Sequence, residues 1–68
     1  MNTVNIGQEI KRVFDASEHT ISWFAKKLRC DRSNVYNIFD RKSIDTELLY
    51  HISEILHYDF FVYYRPEG

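Results

Sequence analysis

Residues 24–39 read FAKKLRCDRSNVYNIF, and the spacing of apolar residues in that stretch leaves the chain little choice of shape. Phe24, Ala25 and Leu28 repeat with the period of a helix, and so do Val35, Ile38 and Phe39. Between the two stripes RCDRS reads as a break, without a glycine or proline. A connection of about three or four residues suits a steep crossing of the two helices rather than an antiparallel hairpin. Ala25, small and on the inner face, lets the crossing be close. The expected unit is a helix, a tight turn and a second helix sharing one core.

The rest of the chain supplies elements to complete that core. Ile6, Ile10, Val13 and Phe14 form an amphipathic stripe over roughly residues 5–17. Thr20 is a suitable N-cap for the helix carrying Ile21, Phe24, Ala25 and Leu28, which ends near Arg29. Asp31 is placed to cap the next helix by accepting a backbone N–H, its charge matching the positive end of the dipole. Cys30 and Val35 then stand at hydrophobic-staple positions. The device recurs at Ile44, Asp45 and Leu49, where Asp45 caps a helix with Leu48, Leu49, Ile52, Ile55 and Leu56 inward. The tail DFFVYYRPEG fits either a helical face or a short strand. It is either a lid on the core or, through Phe60, Phe61, Tyr63 and Tyr64, a surface where two copies meet. The expected fold is all-α, a bundle of four to five helices in a single domain over 1–68, with a core of about 5–58 and a tail of 59–68.

A chain of 68 residues buries only about 60% of its unfolded surface, so a dense core is required. With 44% hydrophobic and 16% aromatic residues it has the material. Cys30 is the lone cysteine, which excludes an internal disulfide and a four-cysteine zinc site. No apolar run is long enough for a signal peptide or a membrane span, and a reducing cytoplasm is the expected location. His19, His51 and His57 are not spaced as metal ligands, and no nucleophile, base and acid, or carboxylate pair, falls into a cleft. Neither an enzyme, a cofactor, a bound metal nor a small-molecule ligand is expected.

Net charge is −1, but the sign is segregated along the chain. Residues 11–42 hold eight lysines and arginines against four acids, whereas 43–68 hold Arg65 against five acids. The basic stretch coincides with the tightly joined helices. On the second of these, Arg32, Ser33, Tyr36, Asn37 and Asp40 form the face opposite the apolar stripe, with Asn34 beside them. A polar helix face of this kind suits the DNA major groove, which admits one α-helix and displays donors and acceptors on base edges. Arg32 can bond guanine through two donors, Asn37 or Asn34 can pair with adenine, and Tyr36 can touch a thymine methyl or a phosphate. Ser33 stands where hydroxyls near a helix start hold phosphate. Lys26, Lys27, Arg29, Arg41 and Lys42 flank that helix at both ends and can reach both phosphate walls. Trp23 lies off the buried stripe and is expected to be partly packed, its indole N–H within reach of a phosphate.

These residues carry a resemblance. From about Ile6 to Tyr58 the chain resembles the phage-repressor and Cro-like helix-turn-helix family of small bacterial transcription regulators, also called XRE-type. The family's twenty-residue motif falls on Ile21 to Asp40, with its small residue at Ala25 and its apolar positions at Phe24, Leu28, Cys30, Val35 and Ile38. SIDTELLYHISEIL resembles the helix that follows the motif. The resemblance implies sequence-specific binding of double-stranded DNA, a repressor-like role in transcription regulation, and a homodimer on a pseudo-palindromic site. Two positions depart from the pattern. The family has glycine where this chain has Arg29, at a left-handed turn that costs a non-glycine residue about 1 kcal/mol or more; either the turn differs, or Arg29 takes the strain while reaching a phosphate. Ile21 replaces a helix-opening glutamine, so that phosphate contact would pass to Ser22. The competing expectation is a protein-interaction adaptor on the same scaffold without DNA binding, which the acidic second half suits.

Overall fold

The computed structural model describes residues 5–64, and of Tyr63 and Tyr64 the backbone alone. It is all-α: α1 spans Ile6–Ser17, α2 Ile21–Leu28, α3 Arg32–Phe39 and α4 Thr46–Leu56, followed by a 3-10 turn, Phe60–Tyr64. Four helices, with the 3-10 turn as a short fifth, make the expected small bundle. Of the two alternatives for the tail, Phe60–Tyr64 takes the helical one rather than a strand, and residues 65–68 lie outside the described residues.

Each apolar stripe read from the sequence turns inward. Ile6, Ile10 and Phe14 of α1, Phe24 and Ala25 of α2, Val35, Ile38 and Phe39 of α3, and Leu49, Ile52 and Leu56 of α4 are all buried. Phe24 is the hub: its ring stacks on Phe14 at 5.1 Å and lies 6.4 Å from Phe39. Aromatic pairs at such offsets contribute beyond their buried area. α3 packs against α1 and α2, while α4 packs against α1, α2 and the 3-10 turn.

The caps follow the sequence in two places and depart from it in a third. Thr20 Oγ1 accepts from the Trp23 N–H at 3.0 Å, and the Asp45 carboxylate accepts from Glu47 and Leu48 N–H at 3.1 and 3.2 Å. Asp31 makes no side-chain cap. Its main-chain carbonyl instead accepts from Asn34 and Val35 N–H, and the exposed carboxylate stays in water. The corrected reading is that Asp31 helps α3 through charge near the dipole rather than through a bond.

With no glycine between 7 and 68, helix ends are closed by other residues. Glu18, Arg29 and His57 terminate α1, α2 and α4 in the left-handed region, at φ 64°, 58° and 55°. After α2 the Cys30 N–H reaches back to the Ala25 carbonyl at 3.0 Å, and after α4 the Tyr58 N–H reaches Ser53 at 3.0 Å. These bonds satisfy carbonyls that a helix end leaves open.

Gly7 explains how α3 is held. A Cβ there would lie 2.5–2.6 Å from the carbonyl oxygens of Ile38, Phe39 and Arg41. Only glycine lets the two backbones come this close. The Gly7 N–H donates to the Arg41 carbonyl at 2.9 Å, and the Gln8 amide donates to the Phe39 carbonyl at 3.0 Å. The positive start of α1 therefore meets the negative end of α3.

Phe60, read as part of either a lid on the core or a surface between two copies, has no exposed area and fills the core beside Tyr58, ring to ring at 4.7 Å, so the dimer-surface reading does not hold for it. The 3-10 turn that follows α4 swings it inward because the phenyl group gains more from burial than from solvent. Phe61 is half-buried, and the side chains of Tyr63 and Tyr64 lie outside the described residues.

Candidate nucleic-acid interface

With Val35, Ile38 and Phe39 locked into the core, the remaining side chains of α3 must face water. Arg32, Ser33, Asn34, Tyr36, Asn37 and Asp40 are all exposed. Helical geometry sorts them: Ser33 and Asp40 stand opposite the buried stripe, Arg32 and Tyr36 lie along one edge, and Asn34 lies along the other with Asn37 on its side of the face. Tyr36 is 55% exposed, its ring meeting Phe39 edge-on at 6.4 Å, which steadies the ring without covering it.

Along the other edge, Asn34, Asn37 and Arg41 line a common groove of about 300 Å³ with Leu28, Cys30, Ile38 and Leu48. A second groove of about 420 Å³ continues from it across Leu28 and Leu48, rimmed by Lys27, Arg29, His51 and Glu54. The structure thus brings Asn34 and Asn37 together with Arg41, which the sequence assigned to phosphate rather than to bases. Burial pushes the Cys30 thiol above its ordinary pKa, and the Asp31 charge adds to the effect. Neutral and half-buried, Cys30 serves the turn as a small apolar residue.

The cations flanking α3 make no ion pairs among the described residues. On α1, Lys11 pairs with Asp15 at 2.9 Å and Arg12 with Glu9 at 2.9 Å. Among the described residues, Lys26, Lys27, Arg29, Arg32, Arg41 and Lys42 pair with no carboxylate, and all six are exposed. Ser22 is exposed in the first turn of α2. Arg29 adopts the left-handed conformation, φ 58° and ψ 47°, so the turn keeps the glycine-type backbone and accepts the strain.

Two features were missed in the sequence. Trp23 is half-buried as expected, yet its outer face is occupied: the His19 ring stacks on it at 3.5 Å and 10°, and the Lys27 ammonium lies 5.9 Å from its centre. His19 precedes Trp23 by four residues across a helix boundary, where periodicity gives no signal. Gln8 fixes the end of α3 from the polar side of α1, and only the contact itself reveals that role.

No family model, curated protein or solved structure matches the chain. Among the described residues no helix is long and apolar enough to cross a membrane.

Proposed function

We propose that this chain binds duplex DNA, inserting α3 into the major groove as a repressor-like transcription regulator of the cytoplasm. The observation that carries the reading is an exposed polar face on α3, fixed from behind by a buried stripe and flanked at both ends by unpaired cations. Arg32 and Tyr36 at one edge and Asn34, Asn37 and Arg41 at the other would bracket base edges. Ser33 lies near the helix start, where phosphate is held, and Asp40 can accept from a cytosine amine. Lys26, Lys27, Arg29 and Lys42, with Ser22, would hold phosphates and set register without reading sequence. A module this small makes few contacts, so two copies on half-sites about 34 Å apart are the expected route to useful affinity.

Fluorescence anisotropy with duplex DNA across a salt series tests this. With four phosphates contacted, affinity should fall about a hundredfold between about 50 and 200 mM salt. Asn37→Ala should flatten preference among sequences, and Lys26→Ala should weaken all of them alike. Absence of binding at low salt would favour the adaptor, for which the lack of any lysine or arginine from Ser43 to Tyr64 speaks. Selection from a random oligonucleotide pool would report half-site symmetry as well.

A further inference from the structure

The two grooves beside α3 run as one, and duplex DNA does not account for all of it. Leu28, Cys30, Leu48 and Ile55 make its floor, each half-buried, so apolar surface stays open to water between α2 and α4. On α4, Leu48, His51 and Ile55 share one face at helical spacing. Lys27 and Arg29 stand at one end of the groove and Arg41 at the other.

Charge narrows what can lie there. Among the described residues Lys27, Arg29 and Arg41 pair with no carboxylate, and the Asn34 and Asn37 side chains make no hydrogen bond. Glu54, the carboxylate on the rim, already accepts from the Tyr50 hydroxyl. Asp31 lies beside Cys30 but outside the lining, and is exposed. The phosphates of a duplex would match the cations and leave Leu28, Leu48 and Ile55 uncovered. A second copy is poorly supplied with the matching acid. Asp45, Glu54 and Asp59 accept hydrogen bonds from their own chain, which leaves Glu47 on α4, while Glu9 and Asp15 pair with Arg12 and Lys11. The other acids among the described residues, Glu18, Asp31 and Asp40, belong to the basic stretch 11–42, which would bring its own cations against those of the groove.

We propose that this groove docks a segment of another protein in which two acidic residues bracket bulky apolar ones. The apolar side chains lie over Leu28, Leu48 and Ile55. One carboxylate meets Lys27 and Arg29 and the other meets Arg41, with the Asn34 and Asn37 amides donating beside it. Because the same cations are assigned to DNA, the docked segment excludes the duplex. The docking stands on the groove alone, whereas the exclusion rests on the proposed DNA binding.

A nuclear magnetic resonance titration of the ¹⁵N-labelled full chain with the acetylated, amidated peptide Glu-Leu-Leu-Glu tests the docking. Amides of Leu28, Arg29, Asn37, Leu48 and Ile55 should shift, and the peptide Gln-Leu-Leu-Gln should give no such shifts. Arg41→Gln, an exposed substitution, should weaken the acidic peptide about three- to tenfold and leave the spectrum away from the groove unchanged. An equal response to both peptides, no response to either, or unchanged affinity in Arg41→Gln overturns the proposal. So does tighter binding of octanoate than of the peptide, which would give the groove to a small amphipathic anion. Shifts of the same amides on dilution of the chain alone would name a second copy as the occupant and overturn it as well. In fluorescence anisotropy the acidic peptide should release a bound duplex, and a duplex retained while the groove amides shift overturns the exclusion. A chain that takes the peptide but no DNA at low salt keeps the docking and loses the DNA reading.

Discussion

At the scale of single residues, Arg29 concentrates the tension in this molecule. Its backbone sits in a conformation that disfavours any side chain with a Cβ, yet its guanidinium is exposed beside α3 and, among the described residues, pairs with no carboxylate. A residue kept for stability alone would be glycine there. Arg29→Gly is expected to raise stability in urea by up to about 1 kcal/mol, by relieving the strain. The same variant should bind DNA more weakly at every sequence tested. A variant with unchanged stability would mean that Arg29 is not strained, and one with unchanged DNA affinity would remove it from the phosphate contacts. The sequence located this position through a departure from a motif, but the backbone angle is a property of the closed turn and had to be seen.

At the scale of elements, helices were legible wherever apolar spacing alone defined them. The stripes of all four were read correctly, because burying each one leaves a single periodicity that fits. Caps were less legible, since an aspartate before a helix carries the same letter whether its carboxylate turns back to the backbone or out to solvent. Asp45 turns back and bonds two N–H groups, while Asp31 bonds none. Asp45→Ala should therefore cost about 1 kcal/mol and Asp31→Ala only a few tenths, readable as a difference in thermal midpoint. Equal losses would show that dipole charge, rather than the bonds, does the capping. The tail was ambiguous for a related reason. A run of aromatics satisfies either period, and the choice was made by the space beneath Phe60, which no local pattern encodes.

At the scale of the whole molecule, the decisive contact joins the first helix to the end of the third. Gly7 gave no signal in the sequence beyond being a glycine inside a helix, where it costs up to about 1 kcal/mol relative to alanine. Its value appears only when the two backbones are brought together. Gly7→Ala must push three carbonyl oxygens aside, and a loss of about 1–3 kcal/mol is expected, lowering the thermal midpoint by several degrees or more. An unchanged midpoint would mean that α1 can slide without cost. The exposed face of α3 and its two edges were readable from side-chain chemistry and helical period, whereas the groove that one edge shares with Arg41 depended on where Leu48 of α4 lies. The seam at Gly7 also limits the reach of any recognition the third helix performs. Eight residues at 1.5 Å each give a rod of about 12 Å, and the first helix blocks its extension. Laid along a duplex with a rise of about 3.4 Å per step, so short a rod spans roughly three or four base pairs, and discrimination among longer targets would need contacts made outside this helix.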